Sequence, residues 1–299
     1  QYSDEILVFL IKNKFKYKYK LFIHELEKLK IEKFDLSKVD RISSWSPLKL
    51  TNIFQNMDEK IKDKLFWINQ GIRLTKNARD RLSRYNEVES SESTRYIVSV
   101  GDVNRDHYSV IKAVSGLDIK LYIISKIEYY TNNKNVICIK TTGDKIIDND
   151  RVFDCCKIIK NSLFCIIPLH VIKTSNGITS AVESIFLKKC LIVTKNCGLD
   201  EDVEDGVTGF MVKQKDVRSY KEKILYLLND KNRKRMENNI DNSFSESMTW
   251  EGFINIVLRK LNDRYNDIES MDTYENTIQR IEFNQKKFNK SYYNKLRKL

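Results

Sequence analysis

Two short stretches of this sequence hold residue types, at the right spacing, to bind a phosphorylated ligand. The first, Gly101-Asp102-Val103-Asn104-Arg105-Asp106, follows the β-rich run Arg95 to Val100 (RYIVSV). Gly101 has no Cβ, so a ligand can approach the backbone closely there. Arg105 can clamp a phosphate through two parallel N–H donors, and Asp106 favours the start of a helix. An ordinary helix cap beside an exposed arginine would leave the same pattern. The second stretch, Ser175-Asn176-Gly177-Ile178-Thr179-Ser180-Ala181-Val182-Glu183, follows the apolar run that ends in Pro168-Leu169. Asn176-Gly177 is a tight turn, and the N–H groups of the turn and of the helix start behind it suit a pyrophosphate. Thr179 can add a hydroxyl donor. Glu183, one turn further on, can accept hydrogen bonds from ribose hydroxyls. Its apolar neighbours Val182, Ile185 and Phe186 argue against a merely solvated carboxylate.

Both stretches lie where short strands run into helices. Arg95 to Val100, Ile119 to Ser125, Val136 to Lys140, Ser162 to Leu169, Leu191 to Thr194 and Gly209 to Val212 read as strands. Tyr108 to Val114, Thr179 to Lys189 and Val217 to Leu228 carry apolar residues at helical spacing. Such alternation needs right-handed crossovers and gives a parallel sheet covered on both faces. The predicted fold class is therefore α/β and Rossmann-like. In an open parallel sheet, ligands bind outside the carboxyl ends of the strands, where both candidate loops fall.

Residues 85–94 (YNEVESSEST) are polar, without periodicity, and read as a linker. It separates a Rossmann-like domain over 95–264 from an amino-terminal region over 1–84. In that region Ile11, Phe15, Phe22, Leu26 and Leu29 fall on one helical stripe, although Lys14 to Lys20 (KFKYKYK) alternates as a strand would. The longer stripe favours a helix. Val39 to Ser44, Pro47 to Phe54 and Leu65 to Ile72 then read as strand, helix and strand, too little for a complete Rossmann-like domain, so this half is expected to be truncated. The tail over 265–299 interleaves Arg280, Lys286, Lys287, Lys290, Lys295, Arg297 and Lys298 with Phe283, Phe288, Tyr292 and Tyr293. It is either a basic amphipathic helix for an anionic membrane surface or a solvated terminal helix.

The net charge of +12 implies attraction to something anionic without choosing it, and a Lys/Asn/Ile-rich composition with solvated helix faces would give the same charge. No zinc-finger spacing or RRM-like aromatic pattern supports nucleic acid. The six cysteines lack metal-site pairing and mostly sit in apolar runs such as Leu163-Phe164-Cys165-Ile166-Ile167, which fits a reducing cytoplasm, with the tail offering contact to the inner membrane face. No run approaches the length of about 18 apolar residues that spans a membrane. Asp148-Asn149-Asp150 and Asp200-Glu201-Asp202 match a metal-binding Asp-x-Asp only by letter and are better explained by turns and caps. No metal and no separate cofactor are expected. Of the histidines, His170 is a candidate ligand contact, His107 sits at a helix start beside Arg105, and His24 reads as a surface residue.

From Arg95 to Asn239 the order YIVSVG, NRDHYSVIKAV, IIPL, NGITSAVES, LIVTKNCG and EDGVTGFMV resembles glycosyltransferase family 4, the retaining group with the GT-B fold. The resemblance implies a nucleotide-diphosphate sugar in the carboxyl-terminal domain, a glycan or lipid-linked acceptor on the amino-terminal side, and hexose transfer across the cleft. By that resemblance Glu183 is the ribose-binding second glutamate of a Glu-x7-Glu motif. Asn176 to Thr179 form the pyrophosphate-binding turn, and Arg105 is the catalytic cation on the leaving diphosphate. The chain departs from the pattern at three places. Ser175 stands where the first glutamate would be, as in branches with a Gly-x-Thr-type turn. Lys188 and Cys190 replace a small residue and a proline, and Asp102 replaces a frequent arginine. A GT-B-fold binding or scaffold protein with impaired catalysis is the alternative.

Overall fold

The computed structural model describes residues 22–24, 35–44, 64–68, 95–140, 149–170, 176–195, 202–240 and 249–262, with isolated positions between them. The chain divides into two compact units, one made of 1–69 and 253–299 and the other of 70–252.

In the first unit three short strands, β1 (Phe22–His24), β2 (Arg41–Ser44) and β3 (Leu65–Trp67), pair in parallel in that order. Ile23 sits opposite Ile42, and Ile42 opposite Leu65, so one apolar column crosses the sheet. A 3-10 turn, Leu36–Lys38, leads into β2, with the Asp35 carboxylate accepting from the Ser37 amide at 3.3 Å. Phe66 and Ile68 pack with Phe253 and Val257. The strand at Phe22–His24 corrects the helix expected there. Ile23 is buried against β2, and the alternation of Lys14 to Lys20, the weaker signal on length, is the one that continues into it. The rest of that stripe and Pro47 to Phe54 lie outside the described residues.

The second unit is a six-stranded parallel sheet in the order β6-β5-β4-β7-β8-β9. In chain order its elements are β4 (Tyr96–Val100), α1 (His107–Ala113), β5 (Lys120–Ser125), β6 (Val136–Lys140), α2 (Asn149–Asn161), β7 (Cys165–Ile167), α3 (Ile178–Phe186), β8 (Leu191–Thr194), β9 (Gly209–Val212), α4 (Val217–Leu228) and α5 (Asp230–Ile240). A further helix, α6 (Trp250–Asn262), closes the described chain. β4, β7 and β8 are buried at every position, as strands covered on both faces must be. The outer strand β9 is blunted: the Met211 amide donates to Asp205 Oδ1 at 2.9 Å rather than to another strand.

α4 packs on both α1 and α5, and α2 packs on α3. Tyr220, Ile224 and Leu227 of α4 repeat at i, i+4 and i+7 and are fully buried. Ile178, Ala181, Val182 and Ile185 do the same for α3. Each fully buried aliphatic side chain contributes about 1.5–3 kcal/mol. α2 fills a crossover for which no helix was read from the sequence, although Val152, Cys156 and Ile159 form its apolar stripe. Asn149 and Asp150 open this helix rather than a loop. The strand order reverses between β4 and β7, because the chain runs outward to β5 and β6 and then returns to the other side of β4. The carboxyl ends of these two strands therefore flank the switch point of the sheet.

Candidate functional site

The loop after β4 turns at Gly101, whose φ of +116° disfavours any side chain. Its amide donates to the Ile124 carbonyl at 3.0 Å, which ties the turn to β5. Arg105 folds back over it: Nε donates to the Val100 carbonyl at 2.9 Å and Nη1 to the Val103 carbonyl at 2.7 Å. A Cβ on Gly101 would run into this guanidinium. The absence of a side chain at 101 is thus what lets Arg105 lie there. Burial lowers the Arg105 pKa to about 10, the nearby Asp102 charge opposing it, so the group stays cationic at neutral pH. Among the described residues no hydrogen bond engages Nη2. Asp102 Oδ1 accepts from the Lys126 amide at 2.5 Å, spending that carboxylate on the neighbouring loop.

Asp106 caps α1, accepting from the Ser109 amide at 3.3 Å and the Ser109 hydroxyl at 2.6 Å. His107, the next residue, is fully buried. Its Nε2 lies 2.9 Å from the Gly101 carbonyl and its Nδ1 2.8 Å from Ser99 Oγ. A carbonyl can only accept, so Nε2 carries the proton and the Ser99 hydroxyl donates to Nδ1. Burial pushes the His107 pKa down to about 4, and the ring is neutral. Tyr129 meets it edge-on at 4.8 Å. His107 therefore holds the Gly101 carbonyl from beneath. Nothing local in the sequence marks this role, since Ser99 and His107 meet only through the strand-turn-helix geometry.

The loop after β7 is stitched to the first. The Asp106 amide donates to the Pro168 carbonyl at 3.0 Å, and the His170 amide to the Asn104 carbonyl at 2.9 Å, so Arg105 and Leu169 bridge as an antiparallel pair. His170 also accepts at Nδ1 from Gln214 Nε2 at 3.3 Å. Ser175 lies outside the described residues. Gly177, at φ +85°, is the left-handed N-cap of α3 and, as a glycine, supplies no side-chain cap of its own. Its backbone rests on Ile167 and Leu169, whose methyls would lie 3.0 and 3.5 Å from a Cβ placed there. Asn176 and Thr179 are half-buried, while Ile178 is buried, so Ile178 can offer a ligand only its amide. Glu183, on the second turn, is buried beside Cys165. Burial first, and the Glu183 charge to a lesser degree, push the Cys165 thiol up to about 12.

The structure thus brings Gly101 and Arg105 together with the backbone leading to Gly177 and α3, at the switch point of one sheet. The arrangement offers the Arg105 cation and a helix amino terminus that opens on a glycine, a setting for a diphosphate. Among the described residues no group of three His, Cys, Asp or Glu side chains is placed to hold a metal ion. No helix among them is long and apolar enough to cross a membrane. The loop after β6 and the basic tail lie outside the described residues.

Residues 86–243 match the family model described as Glycosyl transferases group 1, more than half of the chain. The chain is 27% identical over 165 residues to an uncharacterized glycosyltransferase, MJ1178, of Methanocaldococcus jannaschii, covering 53% of this chain and 44% of that protein. It is 29% identical over 154 residues to the capsular polysaccharide biosynthesis glycosyltransferase CapM of Staphylococcus aureus, covering 46% and 37%. It thus spans less than half the length of these curated relatives. The solved structure of Anabaena Alr3699/HepE in complex with UDP and glucose superposes with a TM-score of 0.59 at 13% identity, over 87% of this chain and 76% of that one, a likeness of fold. The α/β, Rossmann-like class read from the residues and the GT-B fold implied by the resemblance are those of this neighbour, and the chain belongs to the glycosyl transferases group 1 family.

Proposed function

We propose that this chain binds a nucleotide-diphosphate sugar and transfers its hexose to a glycan or lipid-linked acceptor, with retention of configuration. The observation that carries the reading is the bridge, at the switch point, between Arg105 of the first loop and Leu169, against whose side chain Gly177 opens α3. In this scheme the departing diphosphate lies against the α3 amides and Arg105 Nη2, which stabilise the charge developing on it. Gly101 lets the ligand come close, Thr179 adds a hydroxyl and Glu183 holds the ribose. No separate cofactor is needed. Support comes from family membership, from the UDP and glucose bound by Anabaena Alr3699/HepE and from the polysaccharide role printed for CapM.

Thermal unfolding of the full chain with UDP, GDP or ADP tests the donor reading. One of the three should raise the midpoint, and Glu183→Gln, which keeps the side-chain shape, should weaken that shift. If none of the nucleotides shifts the midpoint, the donor reading fails. A binding or scaffold role is the second reading, favoured by the two Arg105 nitrogens already committed to the Val100 and Val103 carbonyls. Nucleotide binding without hydrolysis or transfer from any UDP, GDP or ADP sugar would favour it.

A further inference from the structure

Both loops of the site converge on one backbone position, Leu169. The residues on either side of it make the stitch to the first loop, through the Pro168 carbonyl and the His170 amide. Its side chain forms part of the floor under Gly177, 3.5 Å from where a Cβ would be. Its amide donates to the hydroxyl of Thr194, the last residue of β8, at 2.7 Å. Thr194 Oγ1 lies 2.7 Å from the hydroxyl of Tyr220, which comes from α4 and is fully buried. Thr194 itself is buried. A buried amide without an acceptor is costly, so the threonine hydroxyl fixes where Leu169 sits. One hydroxyl thus links α4 and β8 to the backbone that sets both the Arg105 loop and the Gly177 turn.

We propose that Thr194, backed by Tyr220, is a positioning residue for the diphosphate site. It acts through Leu169 and touches no ligand. The proposal rests on the donor reading above for its functional consequence, and on the hydrogen-bond chain for its geometry. Thr194→Val keeps the shape of the side chain and removes the acceptor for Leu169. Thr194→Ser keeps the acceptor and removes only a methyl.

The experiment measures two things on the full chain at a temperature well below unfolding: the Kd for UDP, with GDP and ADP as alternates, and amide hydrogen exchange over 104–107 and 168–170. Thr194→Val should weaken nucleotide binding by about tenfold, the factor expected when one buried hydrogen bond that sets the site is lost. Exchange should speed up in both segments, and Thr194→Ser should restore both readouts. A merely structural role would lower the unfolding midpoint and leave Kd and local exchange of the folded protein unchanged, which overturns the proposal. If the wild-type chain binds none of the three nucleotides, the donor reading fails separately, and exchange alone decides whether Thr194 holds the two loops. Should Thr194→Val not fold, Tyr220→Phe, which removes only the outer hydroxyl, is read by the same measurements, and unchanged values there count against the chain.

Discussion

The contact between Gly101 and Arg105 makes a quantitative prediction. Alanine at 101 would have to adopt a φ of +116°, a cost of about 1–3 kcal/mol for a residue with a Cβ. Its methyl would also overlap the Arg105 guanidinium, which must leave. Leaving breaks the bonds from Nε to the Val100 carbonyl and from Nη1 to the Val103 carbonyl. Hydrogen bonds from a charged group contribute about 1.5–3 kcal/mol when shielded from water; the Nε bond is partly buried while the Nη1 bond is exposed and adds little, so roughly 2 kcal/mol is lost with the guanidinium. Gly101→Ala should therefore destabilise the region by about 3–5 kcal/mol, and Arg105→Ala by about 2 kcal/mol. The double variant should cost no more than Gly101→Ala alone, because the arginine is lost only once. Native-state hydrogen exchange on peptides covering 96–114 reads these costs. The expected coupling is about 2 kcal/mol, and costs that add to within about 0.5 kcal/mol would refute the close contact.

His107 is held neutral in the folded chain, with its pKa near 4 against an ordinary 6.5. The unfolded chain binds the proton more readily, so stability is complete above about pH 6.5 and is lost as the pH falls toward 4, by on the order of 3 kcal/mol. Chemical denaturation across that range should show this loss, and His107→Gln should flatten it; an equally steep loss in the variant would assign the effect elsewhere. Gly177→Ala places a methyl 3.0 Å from Ile167 at φ +85° and should cost about 1–2 kcal/mol in denaturant titration, a neutral result ruling out the left-handed cap. Cys165 and Cys190 are buried, with thiols pushed up to about 12 by that burial, so iodoacetamide at pH 8 should modify them only after unfolding. Mass spectrometry of the native chain that finds either one alkylated would contradict their burial.

The second unit is largely legible in the sequence because its strands are continuous apolar runs and α1, α3 and α4 carry apolar residues at helical spacing. Arg105, Gly177 and Glu183 stand out for the same reason: they sit where such runs break. β1 is misread because Phe15, Phe22, Leu26 and Leu29 satisfy a helical stripe, while a three-residue strand is too short to declare its own period. α5 escapes notice because it is strongly polar and buries only Arg233, Met236 and Ile240. His107, Thr194 and Tyr220 escape for a different reason. Each matters through a partner on another element, Ser99, Leu169 or Thr194, and polar pairing across a fold leaves no periodic trace in the chain.

The reversal of strand order between β4 and β7 also has a kinetic meaning. Everything from α1 to α2 lies between these neighbours in the chain, so their pairing closes a long loop and costs correspondingly more chain entropy than pairing β4 with β5. The Arg105–Leu169 stitch cannot exist before that closure. A nascent or partly folded chain can therefore hold β4, α1 and β5 and still lack the joined loops, and a nucleotide bound as proposed would act late, as a clasp on the most non-local strand pairing of the six-stranded sheet.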